Sequence, residues 1–310
     1  MENITEVPAS IMVPVLAPAG KMLSEAWSFY KQHSATLSLI GIVPAILLVP
    51  SAFNIGLAGV FIVSILSGVV SVVTQNALVL AVAENGTPID GVGGVYRRGL
   101  SFFIPMVWAS FLTGIAILGG VLLLIIPGII VGLYFSFYRF TVVLEQRRGL
   151  NALLASWHLA KGYLGAILWR SFVFGVMIWA ALIIVALIGS IVFSKPQKVN
   201  SIGGQLIGNI LVYGFVMPFG IAYTYVMYRA LRQIKGEPIF ESEELQSARK
   251  KIIGLSIFAV VGGLLLMMLA GAFIVFLFHE LIQSGKMLGG SAMGGTEWTN
   301  SLAQLSQLYK

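Results

Sequence analysis

The feature that most constrains this chain is residues 99–138, a run of 40 residues without an Asp, Glu, Lys, Arg or His. About 20 apolar residues suffice for one helical crossing of a bilayer, so the run is long enough for two. Pro127-Gly128 interrupts it, and Gly119-Gly120 offers a second break. Proline lacks an N–H and glycine tolerates positive φ, so one pair should mark a hairpin, and we favour Pro127 at the start of the second helix.

Further apolar runs extend this interpretation to the whole chain. Seven stretches, counting the two above, are predicted to cross the bilayer as helices, because a helix satisfies its own backbone in lipid. They lie near 36–53, 57–82, 102–125, 127–144, 170–193, 204–228 and 253–278. Only 10% of the residues are charged, against about 25% in soluble domains. We therefore predict an all-α polytopic transmembrane helical bundle, with six core helices arranged as three hairpins, interfacial amphipathic helices and one extra helix.

The sequence predicts five segments along the chain. They are an N-terminal segment with an interfacial helix (1–35), the six-helix membrane core (36–232), a charged cytoplasmic loop (233–251), the seventh transmembrane helix (252–279) and a Gly/Ser-rich tail with a short amphipathic helix (280–310). In the charged loop, Ser242 is placed to cap a helix that begins with Glu243 and Glu244, an arrangement that suits the helix dipole.

The basic residues predict the orientation. Fifteen Lys and Arg fall on one side of the predicted spans and four on the other, namely Lys195, Lys198, Lys286 and Lys310. Cytoplasmic loops carry the excess of basic residues, so the N-terminus is predicted to be cytoplasmic. With seven spans, the C-terminus is predicted to be outside.

Three segments that precede predicted spans place apolar residues at helical spacing, so each is predicted to lie as an amphipathic helix in the interface. Their apolar faces are Leu23, Ala26, Trp27 and Tyr30; Val92, Val95, Tyr96, Gly99 and Leu100, after a capping Asp90; and Leu150, Leu153, Leu154, Trp157 and Leu164. Trp27 and Lys31 are spaced like Trp157 and Lys161. Either a duplicated unit or two independent interface anchors would produce that match.

The sequence contains no catalytic constellation. Cys is absent, and His33, His158 and His279 all fall at predicted membrane boundaries, without a second ligand at metal-binding spacing. We therefore predict a protein that is not an enzyme and that holds no metal and no cofactor. The net charge of +7 belongs to loops rather than to a basic stripe with interleaved aromatic residues. No nucleic-acid partner is expected.

Basic and aromatic residues at the predicted inner headgroup level are the candidates for a lipid or phosphate site. Arg139 and Arg170 lie near the inner ends of spans, where a guanidinium either binds a lipid phosphate or extends to the headgroups. The other candidates are Trp27, Trp157 and Lys161. Anionic headgroups are the expected partner, and a protein partner or a second copy of the chain is compatible with the same pattern.

Polar residues within the predicted spans support a different interpretation. Gln75 and Asn76 lie on a stripe of small and polar residues in the second span, and Asn209 lies in the sixth. Such residues line the midplane site of a transporter, or they let helices pack closely and bond across the contact. A transporter requires a polar cavity at mid-depth that reaches one of the three.

One stretch resembles a known family. The residues are Pro127, Gly128, Arg139, Phe140, Glu145, Ala152, Leu153, Ser156, Trp157, Lys161 and Gly162. Together they resemble the membrane domain associated with bacterial glycerophosphodiester phosphodiesterases and its stand-alone membrane relatives. The resemblance covers roughly residues 20–240 and implies six membrane helices in a bacterial cytoplasmic membrane. It implies no activity, because the catalytic barrel of that family is a separate soluble domain for which these 310 residues leave no room.

The sequence thus predicts a non-catalytic polytopic membrane protein, either a scaffold or a lipid- or solute-handling component of the cytoplasmic membrane. The alternative is a transporter or permease subunit with a midplane site. A lipid-acting membrane enzyme comes third, and it would need Glu145 within hydrogen-bond reach of a histidine.

Overall fold

The computed structural model describes residues 16–52, 56–192 and 202–283, and within these ranges all regular structure is helical. The helices are α1 (Ala19–Gly41), α2 (Val43–Leu47), α3 (Gly56–Ala83), α4 (Gly91–Ser101), α5 (Phe103–Leu123), α6 (Ile125–Tyr134), α7 (Tyr138–Val143), α8 (Leu150–Ala160), α9 (Leu164–Val192), α10 (Ile202–Leu211), α11 (Met217–Lys235) and α12 (Glu243–Gln283). A 3-10 turn, Val49–Ala52, follows α2, and a π-helical turn, Val212–Val216, joins α10 to α11. The described residues up to Ser256 belong to one compact unit, and those from Ile257 belong to a second.

Six helical stretches of the described chain are long and apolar enough to cross a membrane. They are Gly56–Ala83, Phe103–Leu123, Ile125–Val143, Leu164–Leu187, Ile207–Lys235 and Glu243–Leu277. These stretches correspond to the second through seventh predicted spans, and the prediction of an all-α polytopic bundle is confirmed. Large apolar side chains such as Leu57 and Ile184 point out of the bundle, as expected where the solvent is lipid rather than water.

The predicted first span, 36–53, is wrong as one continuous helix. α1 ends at Gly41, Pro44 lies in the first turn of the short α2, and Pro50 lies in the 3-10 turn that follows. Each proline removes a backbone donor and crowds the preceding turn, so an apolar run with two prolines breaks into pieces. The pieces remain in the bundle, because α2 packs against α3.

The hairpin predicted within residues 99–138 is present between α5 and α6. Its turn is at Leu124, which adopts an extended backbone with φ −172° and ψ 157°. Pro127 therefore lies in the first turn of α6, where the missing N–H has little effect. Gly120 lies inside α5 and allows close packing, because a Cβ there would come within 2.8 Å of the Cα of Gly128.

All three predicted interfacial helices form, as α1, α4 and α8. α8 is more buried than a surface amphipathic helix, since seven of its eleven residues are buried against neighbours that include α7 and α11. The predicted cap of α4 is wrong. Asp90 makes no capping hydrogen bond, and its carboxylate lies 3.3 Å from Nε of Arg98 instead.

The first residues of the predicted charged loop complete α11 at Lys235, whereas its second half, from Glu243, continues into the seventh span as a single helix, α12. Ser242 caps it as predicted, because its hydroxyl accepts the N–H of Leu245 at 3.4 Å. The amphipathic helix predicted for the C-terminal tail lies outside the described residues.

Candidate functional site

An apolar groove with a volume of about 450 Å³ lies between α1, α9 and the start of α11. We call it the α1–α9 groove. Its lining residues are Gly20, Leu23, Ser24, Trp27, Met177, Ile178, Ala181, Phe215 and Phe219. Ser24 contributes the one polar side chain of this lining, so the groove suits an apolar ligand rather than a polar solute.

A second apolar cavity, of about 210 Å³, continues the groove along α9. It shares Ile178, Ala181 and Phe215 with the groove and extends to Val185 and Leu211. From Met177 to Val185 a helix rises by roughly 12 Å, at about 1.5 Å per residue. The two cavities therefore form an elongated apolar channel that begins beside α1.

Aromatic contacts build the wall of the groove where α1 meets the π-helical turn. The Trp27 ring stacks on Tyr30 at 6.0 Å and meets Phe215 edge-on at the same distance. The Tyr30 hydroxyl donates to the carbonyl of Gly214 at 3.2 Å and so pairs a backbone group of the π-helical turn. A π-helical turn re-aims side chains and is frequent at functional sites, and here it presents Phe215 to the groove.

The charges beside Trp27 are mainly basic. Lys21 and Lys31 are both exposed on α1, and Nζ of Lys31 lies 5.8 Å from the Trp27 ring centre. Neither lysine forms an ion pair with a described residue. Glu25, the nearby carboxylate of α1, is bound by Arg229 of α11 at 2.6 Å. Lys31 therefore places beside Trp27 a positive charge that no described residue pairs.

Arg170 is buried, and its guanidinium is bound to backbone. Nε donates to the carbonyl of Ala17 at 3.1 Å, Nη2 to the carbonyls of Leu16 and Ala17 at 2.8 and 2.6 Å, and Nη1 to Ala166 at 2.8 Å. Every guanidinium nitrogen thus serves a carbonyl, and Arg170 ties the segment before α1 to α9. It positions a wall of the groove, whereas the sequence offered two other roles, binding a lipid phosphate or extending to the headgroups.

The remaining lipid candidates lie away from the groove lining. Arg139 is half-buried on α7, and its Nε faces the Tyr138 hydroxyl at 3.4 Å. Lys161 lies 5.0 Å from the Trp157 ring centre and 2.9 Å from a carboxylate oxygen of Glu244. Of the five predicted lipid residues, Trp27 is the one that lines the α1–α9 groove.

Of the midplane candidates, Asn76 takes part in helix packing. Asn76 is fully buried and donates to the carbonyl of Gly99 at 3.1 Å, which joins α3 to α4. The Gln75 amide lies 3.4 Å from the Ser71 hydroxyl on its own helix, and Asn209 is half-buried on α10. None of the three lines the cavities described here.

Glu145 sits in a network that joins the α7–α8 loop to α11. Its Oε1 accepts a hydrogen bond from the Tyr228 hydroxyl at 2.9 Å and lies 3.5 Å from Nε of Arg232. Its Oε2 lies 3.8 Å from Nε of Arg147. The Glu145–histidine pair that an enzyme would need is absent among these contacts. His158 lies instead by Lys235, and burial lowers its pKa.

The residues behind the family resemblance form a packing unit around α8. Ala152 and Leu153 are buried, and Gly162 ends the helix with φ +84°. Ser156 is fully buried, and its hydroxyl accepts the N–H of Phe137 at 3.1 Å and donates to the carbonyl of Tyr134 at 2.8 Å. These contacts explain the motif by structure alone.

A polar cavity of about 320 Å³ lies between the start of α5 and the α7–α8 loop, and we call it the α5–α7 pocket. It is lined by Ser101, Phe102, Pro105, Val142, Gln146, Arg147 and Arg148. In the sequence, Arg147 and Arg148 contributed to the predicted orientation of the chain in the membrane and to no site. Their adjacency, directly before the glycine that precedes α8, was the available signal.

No family model, curated protein or solved structure matches the chain. The resemblance to the membrane domain associated with bacterial glycerophosphodiester phosphodiesterases therefore stays a prediction.

Proposed function

We propose that this chain is a non-catalytic membrane protein that binds a membrane lipid, with one acyl chain in the α1–α9 groove. The observation that carries the proposal is the apolar lining, of whose nine residues four belong to α1 and five to helices long and apolar enough to cross a membrane. Hydrocarbon surrounds such helices. A lipid chain is therefore the ligand that such a groove would meet.

The chemistry of the groove further favours an anionic lipid. Moving an acyl chain from bilayer to groove exchanges one apolar surrounding for another, so the hydrophobic effect contributes little to preference. Selectivity then comes from packing against rigid rings such as Trp27, and from the headgroup. Lys31 lies beside Trp27 and forms no ion pair with a described residue, and each basic residue near an anionic surface contributes about 1 kcal/mol.

The contacts of the residues considered for a transporter or an enzyme site also favour a lipid-binding protein. Asn76 is engaged in helix packing, whereas a transporter would need a polar mid-depth cavity. Glu145 is engaged by Tyr228 and Arg232, and an enzyme would need it beside a histidine.

Photocrosslinking tests the proposal. The full-length protein is placed in vesicles that contain phosphatidylglycerol with a diazirine in the middle of one acyl chain. After illumination, mass spectrometry maps the labelled peptides. We expect labelling at Leu23, Met177 and Ile178 to exceed that on lipid-facing residues outside the groove.

A matched pair of variants provides the control. Ala181 lines the groove, and Ala180 is exposed on the same helix outside its lining. Ala181→Trp should fill the groove and remove the excess labelling, whereas Ala180→Trp should retain it. Uniform labelling around the bundle, or equal loss in both variants, would overturn the proposal.

A further inference from the structure

The α5–α7 pocket is suited in size and chemistry to a small polar ligand. Its volume of about 320 Å³ lies at the lower end of the range for small-molecule sites, which starts at about 300 Å³. Two arginines and a glutamine supply hydrogen-bond donors to its lining, and an oxyanion accepts such hydrogen bonds. The Ser101 hydroxyl is already engaged, because it donates to the carbonyl of Arg98 at 2.7 Å.

Arg147 is fixed in position before any ligand binds. Its guanidinium carbon lies 4.9 Å from the Phe240 ring centre, and its Nε lies 3.8 Å from Oε2 of Glu145. Its backbone N–H donates to the carbonyl of Thr141 at 3.0 Å. Nε is buried and makes no hydrogen bond within the described structure. A pre-positioned guanidinium loses little freedom when it binds a phosphate in a bidentate arrangement.

Arg148 adds a positive charge that no described residue neutralises. It is exposed and forms no ion pair with a described residue. The carboxylates nearest in the chain are already engaged, since Glu145 is bound by Tyr228 and Arg232. The pocket therefore carries excess positive charge.

The loop that presents these side chains has a strained backbone. Gln146, also in the pocket lining, has φ +54°, in the left-handed region that non-glycine residues avoid. Such a conformation costs about 1–3 kcal/mol, persists where the surroundings determine it, and occurs often at binding sites. Here it brings three consecutive side chains, Gln146 to Arg148, to one cavity.

We propose that the α5–α7 pocket binds a phosphate-bearing anion through Arg147 and Arg148, either the headgroup of an anionic lipid or a soluble phosphate ester. This site shares no lining residue with the α1–α9 groove. A test of one site therefore does not decide the proposal about the other.

Binding of two probes to the full chain in non-ionic detergent distinguishes the sources. The probes are glycerol 3-phosphate and dioctanoyl phosphatidylglycerol, and affinity is measured by microscale thermophoresis. Binding of both probes identifies a phosphate-ester site. Binding of the lipid alone identifies a headgroup site that also needs the lipid body.

Arg148→Gln is the test variant and Arg97→Gln the matched control, because Arg97 is an exposed arginine of α4 outside the pocket lining. We expect Arg148→Gln to weaken binding about tenfold, which is about 1.4 kcal/mol, because it removes a charge-assisted contact to the anion. Arg97→Gln should stay within about twofold, because Arg97 is exposed outside the lining, where salt screens its charge. Arg148→Lys should fall between them, because it keeps the charge and loses the planar fork.

Equal weakening by Arg148→Gln and Arg97→Gln would overturn the proposal, because it would show general attraction to a basic surface. Failure of both probes to bind the wild-type protein would overturn it as well. Ala181→Trp should leave the binding of glycerol 3-phosphate unchanged. Binding of phosphatidylglycerol is compared in the Ala181→Trp background, in which the α1–α9 groove is filled, so that the remaining binding reports on the α5–α7 pocket.

Discussion

The buried hydroxyl of Ser156 is the basis of our most specific prediction about stability. α6 ends at Tyr134 and α7 begins at Tyr138, so the intervening backbone lacks part of its helical pairing. Ser156 supplies two partners there, as the acceptor for the N–H of Phe137 and the donor to the carbonyl of Tyr134. Ser156→Ala removes both partners and changes little else, because alanine is a strong helix former.

The magnitude follows from the two backbone groups left without partners. Each buried unsatisfied group costs about 1–3 kcal/mol, whereas side-chain hydrogen bonds between membrane helices average nearer 0.6 kcal/mol. Because Ser156 is fully buried and serves two groups, we expect the free energy of unfolding to fall by about 2 kcal/mol.

Titration with SDS in mixed micelles, followed by circular dichroism, measures this free energy for the full chain. Ser28→Ala is the matched control, since Ser28 is exposed on α1, and surface changes stay within about 0.5 kcal/mol. If the free energy of unfolding of Ser156→Ala also changes by no more than about 0.5 kcal/mol, the hydroxyl does not stabilise the backbone between α6 and α7.

Three further predictions use the same protein. Gly120→Ala should lower the free energy of unfolding by about 1–3 kcal/mol, because its Cβ would meet α6, and Gly114→Ala, whose Cβ meets nothing within 4 Å, should not. Burial lowers the pKa of His158 below its ordinary 6.5, so the unfolded chain binds more protons and stability should fall as pH drops below that value. His158→Gln should flatten that decline; a decline unchanged in the variant would exclude His158 as its source. Arg170→Gln should free the segment before α1 and speed tryptic cleavage after Lys21, and an unchanged cleavage rate would contradict the tether.

The spans could be predicted from the sequence because length and apolarity decide whether a helix can cross a bilayer. Length and apolarity do not show where a helix is interrupted. Pro44 and Pro50 lie in an apolar run whose hydropathy they barely alter, yet they divide it. The break between α6 and α7 escaped notice for the same reason, since the residues across it remain apolar and aromatic.

The site was less predictable because its contacts join distant parts of the chain. Trp27 could be identified as an interface residue, but its partner Phe215 lies on another helix and faces it through a π-helical turn. Arg170 was a candidate for a lipid phosphate or for the headgroup region, because residue type alone suggested those partners, whereas its actual partners include the carbonyls of Leu16 and Ala17. Every residue has a backbone carbonyl, so the residue types do not indicate which carbonyl a side chain will bind.

The lipid carried by the purified protein tests the central claim most directly. Native mass spectrometry would compare wild type, Ala181→Trp and Ala180→Trp, each released gently from vesicles of phosphatidylglycerol and phosphatidylcholine. The account predicts a retained phosphatidylglycerol on wild type and Ala180→Trp, and its loss from Ala181→Trp. Bare wild-type protein, or equal retention by all three, would contradict a lipid site in the α1–α9 groove.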